Sequence, residues 1–125
     1  MKGKLISLVA VLLAALVPLE GFAQNDGNTT SGNRMLSHCQ NWLTAKTAPN
    51  PIDALDEGQC AGMVAAIFYY GSSLPPEIRF CRPPGANQGQ ALRIVVKYMI
   101  ENPAITHRDL RDLATEALRK AWPCP

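Results

Sequence analysis

The apolar positions of the chain fall into four blocks with helical spacing, each bounded by residues that start or stop a helix. In the first, Met35, Leu36, Cys39, Trp42 and Leu43 recur at three- and four-residue steps and share one face. Ala48-Pro49-Asn50-Pro51 ends it, because proline lacks an N–H and restricts the residue before it. A second helix is predicted to begin near Asp53 or Asp56, with Asp56 and Glu57 favourably placed against its N-terminal dipole. Its buried stripe is Cys60, Met63, Val64, Ile67 and Phe68, and Gly71 is its C-cap. Gly58 and Gly62 stand one turn apart and cost helix propensity, so close approach by a neighbouring helix is the expected reason for both.

The third block opens at Asn87, a cap with Gln90 at the capping-box position, and runs through Leu92, Val95, Val96, Met99 and Ile100 until Pro103. The fourth opens with the capping box Thr106-x-x-Asp109 and carries Leu110, Leu113, Ala114, Leu118, Ala121 and Trp122 until Pro123. Nowhere do β-branched residues alternate as a strand requires. The expected fold is therefore all-α, a compact four-helix domain. Between the second and third helices, the segment from Ser72 to Ala86 holds four of the ten prolines and is predicted to be a loop. Trp42 and Trp122 are expected in the core, and His38 and His107 on the surface.

The beginning of the chain follows different rules. Lys2 and Lys4 precede an apolar run from Leu5 to Leu19, and Gly21-Phe22-Ala23 supplies small residues for signal-peptidase cleavage. The run is about 15 residues long and contains Pro18, whereas a membrane-spanning helix needs about 20. Residues 1–23 are thus expected to be a signal peptide cleaved after Ala23, 24–33 a flexible polar leader, and 34–125 the folded domain. Asn28-Thr29-Thr30 matches the glycosylation triplet, which matters only in a eukaryotic secretory path.

Export changes the reading of the cysteines. Cys39, Cys60, Cys81 and Cys124 form an even set without the close C-x-x-C pairs of a zinc site, so two structural disulfides are expected. A short connection makes the third and fourth helices antiparallel, bringing Cys81 beside Cys124 and leaving Cys39 with Cys60. Each bridge is worth roughly 3 to 4 kcal/mol in the chain-entropy model.

Composition excludes more than it assigns. A formal net charge of +2, from 12 basic and 10 acidic residues, gives no footprint for nucleic acid. The chain has no G-x-S-x-G, no phosphate-cradling glycine loop and no H-E-x-x-H, so neither an enzyme nor a cofactor is expected. The alternating charges from Thr106 to Asp112 read as a solvated helix start. Tyr69 and Tyr70, followed by Glu77, Arg79, Phe80 and Arg82 on the Pro-rich loop, form the candidate partner-binding patch, because tyrosine and arginine are favoured at interfaces.

The ordered combination of Cys60-Ala61-Gly62, Cys81-Arg82-Pro83 with Gln90-Ala91-Leu92, Asn102-Pro103 and Trp122-Pro123-Cys124 resembles the Rap and Tai immunity-protein family. The similarity runs from Cys39 to Cys124. Members often carry an aromatic and a glycine where this chain has Met63 and Ala66, both of which suit a buried helix. The resemblance implies a small periplasmic helical protein that binds and inhibits a peptidoglycan amidase effector of type VI secretion, with homodimers common among its members. A periplasmic acid-stress chaperone and an exported binding module of unknown ligand are the rival readings. No membrane contact is expected once the signal peptide is removed.

Overall fold

The computed structural model describes residues 29–125; the signal-peptide reading and Asn28 lie outside the described residues. Four helices follow one another: α1 (Gly32–Leu43), α2 (Pro51–Tyr70), α3 (Gln88–Glu101) and α4 (Leu110–Ala121). Single 3-10 turns occupy Gly71–Ser73 and Pro103–Ile105. Every pair of the four helices is in contact, and their inner faces share one core built on Met35, Val64, Phe68, Phe80, Leu92, Val95, Met99, Leu110, Leu113 and Leu118. Both disulfides are formed, Cys39–Cys60 with Cα atoms 5.5 Å apart and Cys81–Cys124 with Cα atoms 4.8 Å apart. The all-α, doubly stapled architecture expected from the spacing is the one observed.

The helix starts are set by side chains that accept otherwise unpaired N–H groups. Asn87 caps α3 as expected, its Oδ1 accepting from the Gln90 N–H at 2.9 Å. On α2 the cap is Asn50 instead of Asp53 or Asp56, with Oδ1 accepting from the Ile52 and Asp53 N–H groups. Pro51, read as a stop for α1, starts α2, because a fixed φ and a missing N–H cost nothing in the first turn. On α4 the cap is Asp109, not Thr106. Thr106 is buried, and its hydroxyl bonds Asn33 Oδ1 at 2.5 Å and the Pro103 carbonyl at 2.9 Å.

The last residues assigned to the leader belong to the domain. Ser31 caps α1, and Gly32 and Asn33 form its first turn. Gly32 N–H donates to the Arg108 carbonyl at 2.9 Å, Leu110 N–H to the Thr30 carbonyl at 2.8 Å, and Thr30 Oγ1 to Asp109 Oδ2 at 2.6 Å. A side chain at Gly32 would collide with Leu113 and the Thr106 carbonyl, so glycine is what lets the strap lie this close to α4. Hydropathy cannot show this tie, since its bonds come from backbone and short polar groups.

Other expectations fail on which way a helix faces. Trp122 is buried, but Trp42 is 49% exposed near the end of α1. Gly58 and Gly62 have nothing within 4 Å of where a Cβ would sit, and Ala66 is exposed as well. These three residues face outward, away from the helices that pack on α2.

Candidate partner-binding surface

The surface is built where α2 ends. Gly71 has no Cβ, and the Phe80 ring occupies the space one would fill. That ring is fully buried, with its centroid 6.2 Å from that of Trp122. Phe80 N–H donates to the Gly71 carbonyl at 3.3 Å and Cys81 N–H to the Trp122 carbonyl at 2.9 Å, while Arg119 reaches the Glu77 carbonyl. The Pro-rich segment is thus clamped at its centre by an aromatic wedge and beside it by the Cys81–Cys124 bridge.

Phe80 must therefore leave the list of candidate contacts. Its neighbours stay on the outside: Tyr69 is 59% exposed and Tyr70 68%, and Glu77, Arg79 and Arg82 are exposed. The Arg82 guanidinium lies 4.8 Å from the Phe68 ring centroid and 5.5 Å from that of Tyr69. This cation–π stacking joins the loop to the helix end and fixes the position of the Arg82 guanidinium.

The remainder of α2 extends this surface in a way periodicity alone did not reveal. Each exposed position of the helix is uncharged: Pro51, Ile52, Ala54, Leu55, Gly58, Gln59, Gly62, Ala66, Tyr69 and Tyr70. Ile52 and Leu55 project at 68% and 71% exposure, and beside Leu55 a shallow hollow of about 510 Å³ is lined by Ala54, Gly58 and Gln59. The signal in the sequence is that Asp53, Asp56 and Glu57 gather near the helix start and leave the stretch from Gly58 to Tyr70 without a charge on any side. Such a stretch is ordinarily buried all round.

The acids of α2 are turned the other way. Asp56 and Glu57 are buried, and Asp56 Oδ2 accepts from Arg34 Nη2 at 2.8 Å and lies 3.6 Å from His38 Nε2. His38 is accordingly wedged between α1 and α2, with its Nδ1 buried and unpartnered, instead of lying on the surface. His107 is exposed, as expected.

Among the described residues no group of three or more His, Cys, Asp or Glu is placed to hold a metal ion. The model of the Rap1a immunity proteins matches residues 31–124. The chain belongs to the Rap1a immunity protein family. No curated protein and no solved structure matches it. The match starts at Ser31, the α1 cap, so it takes in Ser31, Gly32 and Asn33, which the hydrophobic pattern left to the leader.

Electrostatics around α4 of this Rap1a domain fasten the fold. Arg111 and Thr30 hold the Asp109 carboxyl down from 3.8 to about 2, against the opposing effect of burial. Tyr98, Arg108 and Lys120 hold Glu116 down from 4.5 to about 2. Arg108 pairs with Glu116 at 2.8 Å, so part of the charge run read as a solvated face fastens α4. No helix among the described residues is long and apolar enough to cross a membrane.

Proposed function

We propose that this Rap1a family protein is an exported periplasmic immunity protein that binds a peptidoglycan amidase effector of type VI secretion and blocks its cleft. Family membership supports an immunity role with a protein effector as partner. Two disulfides accord with an oxidising compartment. On this reading the protein is a binder with no catalysis of its own, and Tyr69, Tyr70, Glu77, Arg79 and Arg82 make the contact. The observation that carries the choice of surface is the stacked Arg82 beside two exposed tyrosines on a segment already fixed in shape. A preorganised segment loses little ordering entropy on association.

An acid-triggered chaperone is the rival reading. Asp109 and Glu116 lose their stabilising contribution in acid, but the two disulfides limit how far the domain can open.

The test is capture of purified amidase effectors by the oxidised protein, followed by assay of their activity. Stoichiometric capture with loss of amidase activity is the expected result. Arg82→Ala and Tyr70→Ala should each weaken capture by at least about tenfold, as anchor residues do. Undiminished capture by both variants would remove the surface from the proposal, and no capture of any amidase would remove the function.

A further inference from the structure

The two disulfides differ in what can reach them. Cys39 and Cys60 are fully buried in the shared core with Met35 and Val64, between helices that Arg34 and Asp56 also tie together. Cys81 and Cys124 are half-buried, and both lie in irregular backbone, Cys81 ahead of Pro83 and Pro84 and Cys124 between Pro123 and Pro125. Exchange requires a thiolate to approach a sulfur directly, so access decides which bridge reacts from the folded state.

We propose that Cys81–Cys124 is a reducible latch on the Pro-rich segment, opened by a dithiol reductant to which Cys39–Cys60 stays closed while the helices remain packed. One thiolate of the dithiol attacks a sulfur of the bridge, forms a mixed disulfide and expels the other cysteine as a thiolate, which takes up a proton. The second thiol of the reductant, on losing its proton, displaces the remaining cysteine. Two electrons pass to the pair, leaving two cysteine thiols and an oxidised reductant.

What remains afterwards is non-covalent: the Cys81 N–H bond to Trp122, the Phe80 N–H bond to Gly71, the Arg119 bond to the Glu77 carbonyl, the Arg82 stacking on Phe68 and Tyr69, and the Phe80 wedge. These contacts keep the segment near its place but let it open, while the four-helix core and its buried bridge persist. The consequence for the effector, a loop no longer fixed in shape before binding, rests on the function proposed above. The latch itself does not, and its test needs no effector.

The oxidised protein is treated with dithiothreitol, quenched at intervals with iodoacetamide, and mapped by peptide mass, with helicity followed by circular dichroism and the loop probed by trypsin. Arg79-Phe80 is the cleavable bond of the segment, because Pro83 protects the bond after Arg82. Alkyl groups should appear on Cys81 and Cys124 at least about 100-fold sooner than on Cys39 and Cys60, since the buried pair needs a sub-global opening. Helicity should survive that first step, and cleavage after Arg79 should accelerate about tenfold, in line with a local opening. The double variant Cys81→Ser/Cys124→Ser should show the same accelerated cleavage. Labelling of both pairs at one rate, loss of helicity with the first pair, or unchanged cleavage after Arg79 in the singly reduced protein would each overturn the proposal. The time course on the unmutated protein decides the matter even if the variant fails to fold.

Discussion

Helices α2 and α4 pack against the same core but treat water in opposite ways. On α4 the exposed positions are Arg111, Asp112, Arg119, Lys120 and Ala121, while Leu110, Leu113, Ala114, Ala117 and Leu118 are buried. Acidic residues lie near its start and basic ones in its last turn, in the sense the helix dipole favours. On α2 the buried positions include two carboxylates and the exposed ones include no charge. A helix whose outer face needs only solvent is written like α4. The outer face of α2 offers apolar side chains and, at its end, a tethered arginine instead, and on the function proposed above this exposed apolar patch is where the partner binds.

The largest effect that can sharpen this contrast comes from the inner side of the α2 end. Phe68→Ala and Phe80→Ala each remove a buried ring and should cost about 3 to 5 kcal/mol, measured by chemical denaturation. Gly71→Ala should approach that cost, because its methyl group would meet the Phe80 ring. A small effect of Phe80→Ala would mean that the wedge does not hold the segment.

Acid tests the α4 side. Asp109 and Glu116 have folded-state values below their unfolded ones, so their stabilising contribution is complete above about pH 5 and is lost as pH falls through about 2. Both reach solvent in part, which reduces the contribution, and a loss of a few degrees in melting temperature between about pH 5 and 2 is expected. Asp109→Asn with Glu116→Gln should flatten that part of the profile. An unchanged slope would show that these carboxylates do not fasten the strap and α4.

Smaller effects distinguish the outer face of α2 from its inner one. With open space around both glycines, Gly58→Ala and Gly62→Ala should each stabilise the protein by about 0.5 to 1 kcal/mol. Leu55→Ala should change stability by less than about 0.5 kcal/mol. If instead Gly62→Ala destabilises the isolated protein, the face is packed in solution and is not free.

How far the sequence could be read follows the same division. Spacing located all four helices, while of the caps at helix starts only Asn87 on α3 was read correctly, and helix order with cysteine position led to the disulfide pairing. The inner stripe of α2 was legible through Cys60, Val64 and Phe68. Its outer face was not, because Leu55, Gly58 and Ala66 look alike to a hydropathy pattern whether a helix of the same chain or something else lies against them. Phe80 was placed outside by its arginine neighbours, when its position depends on an absent Cβ at Gly71, at the helix end before the loop. The strap through Thr30 and Gly32 was missed because single backbone hydrogen bonds have no periodicity.

The most direct test of the account is a titration of a peptidoglycan amidase effector with the oxidised protein, read as residual amidase activity against molar ratio. The account predicts activity falling to nothing near equimolar ratio, with Arg82→Ala shifting the curve to higher ratio. Full amidase activity at a large molar excess, across the effectors tried, would contradict it.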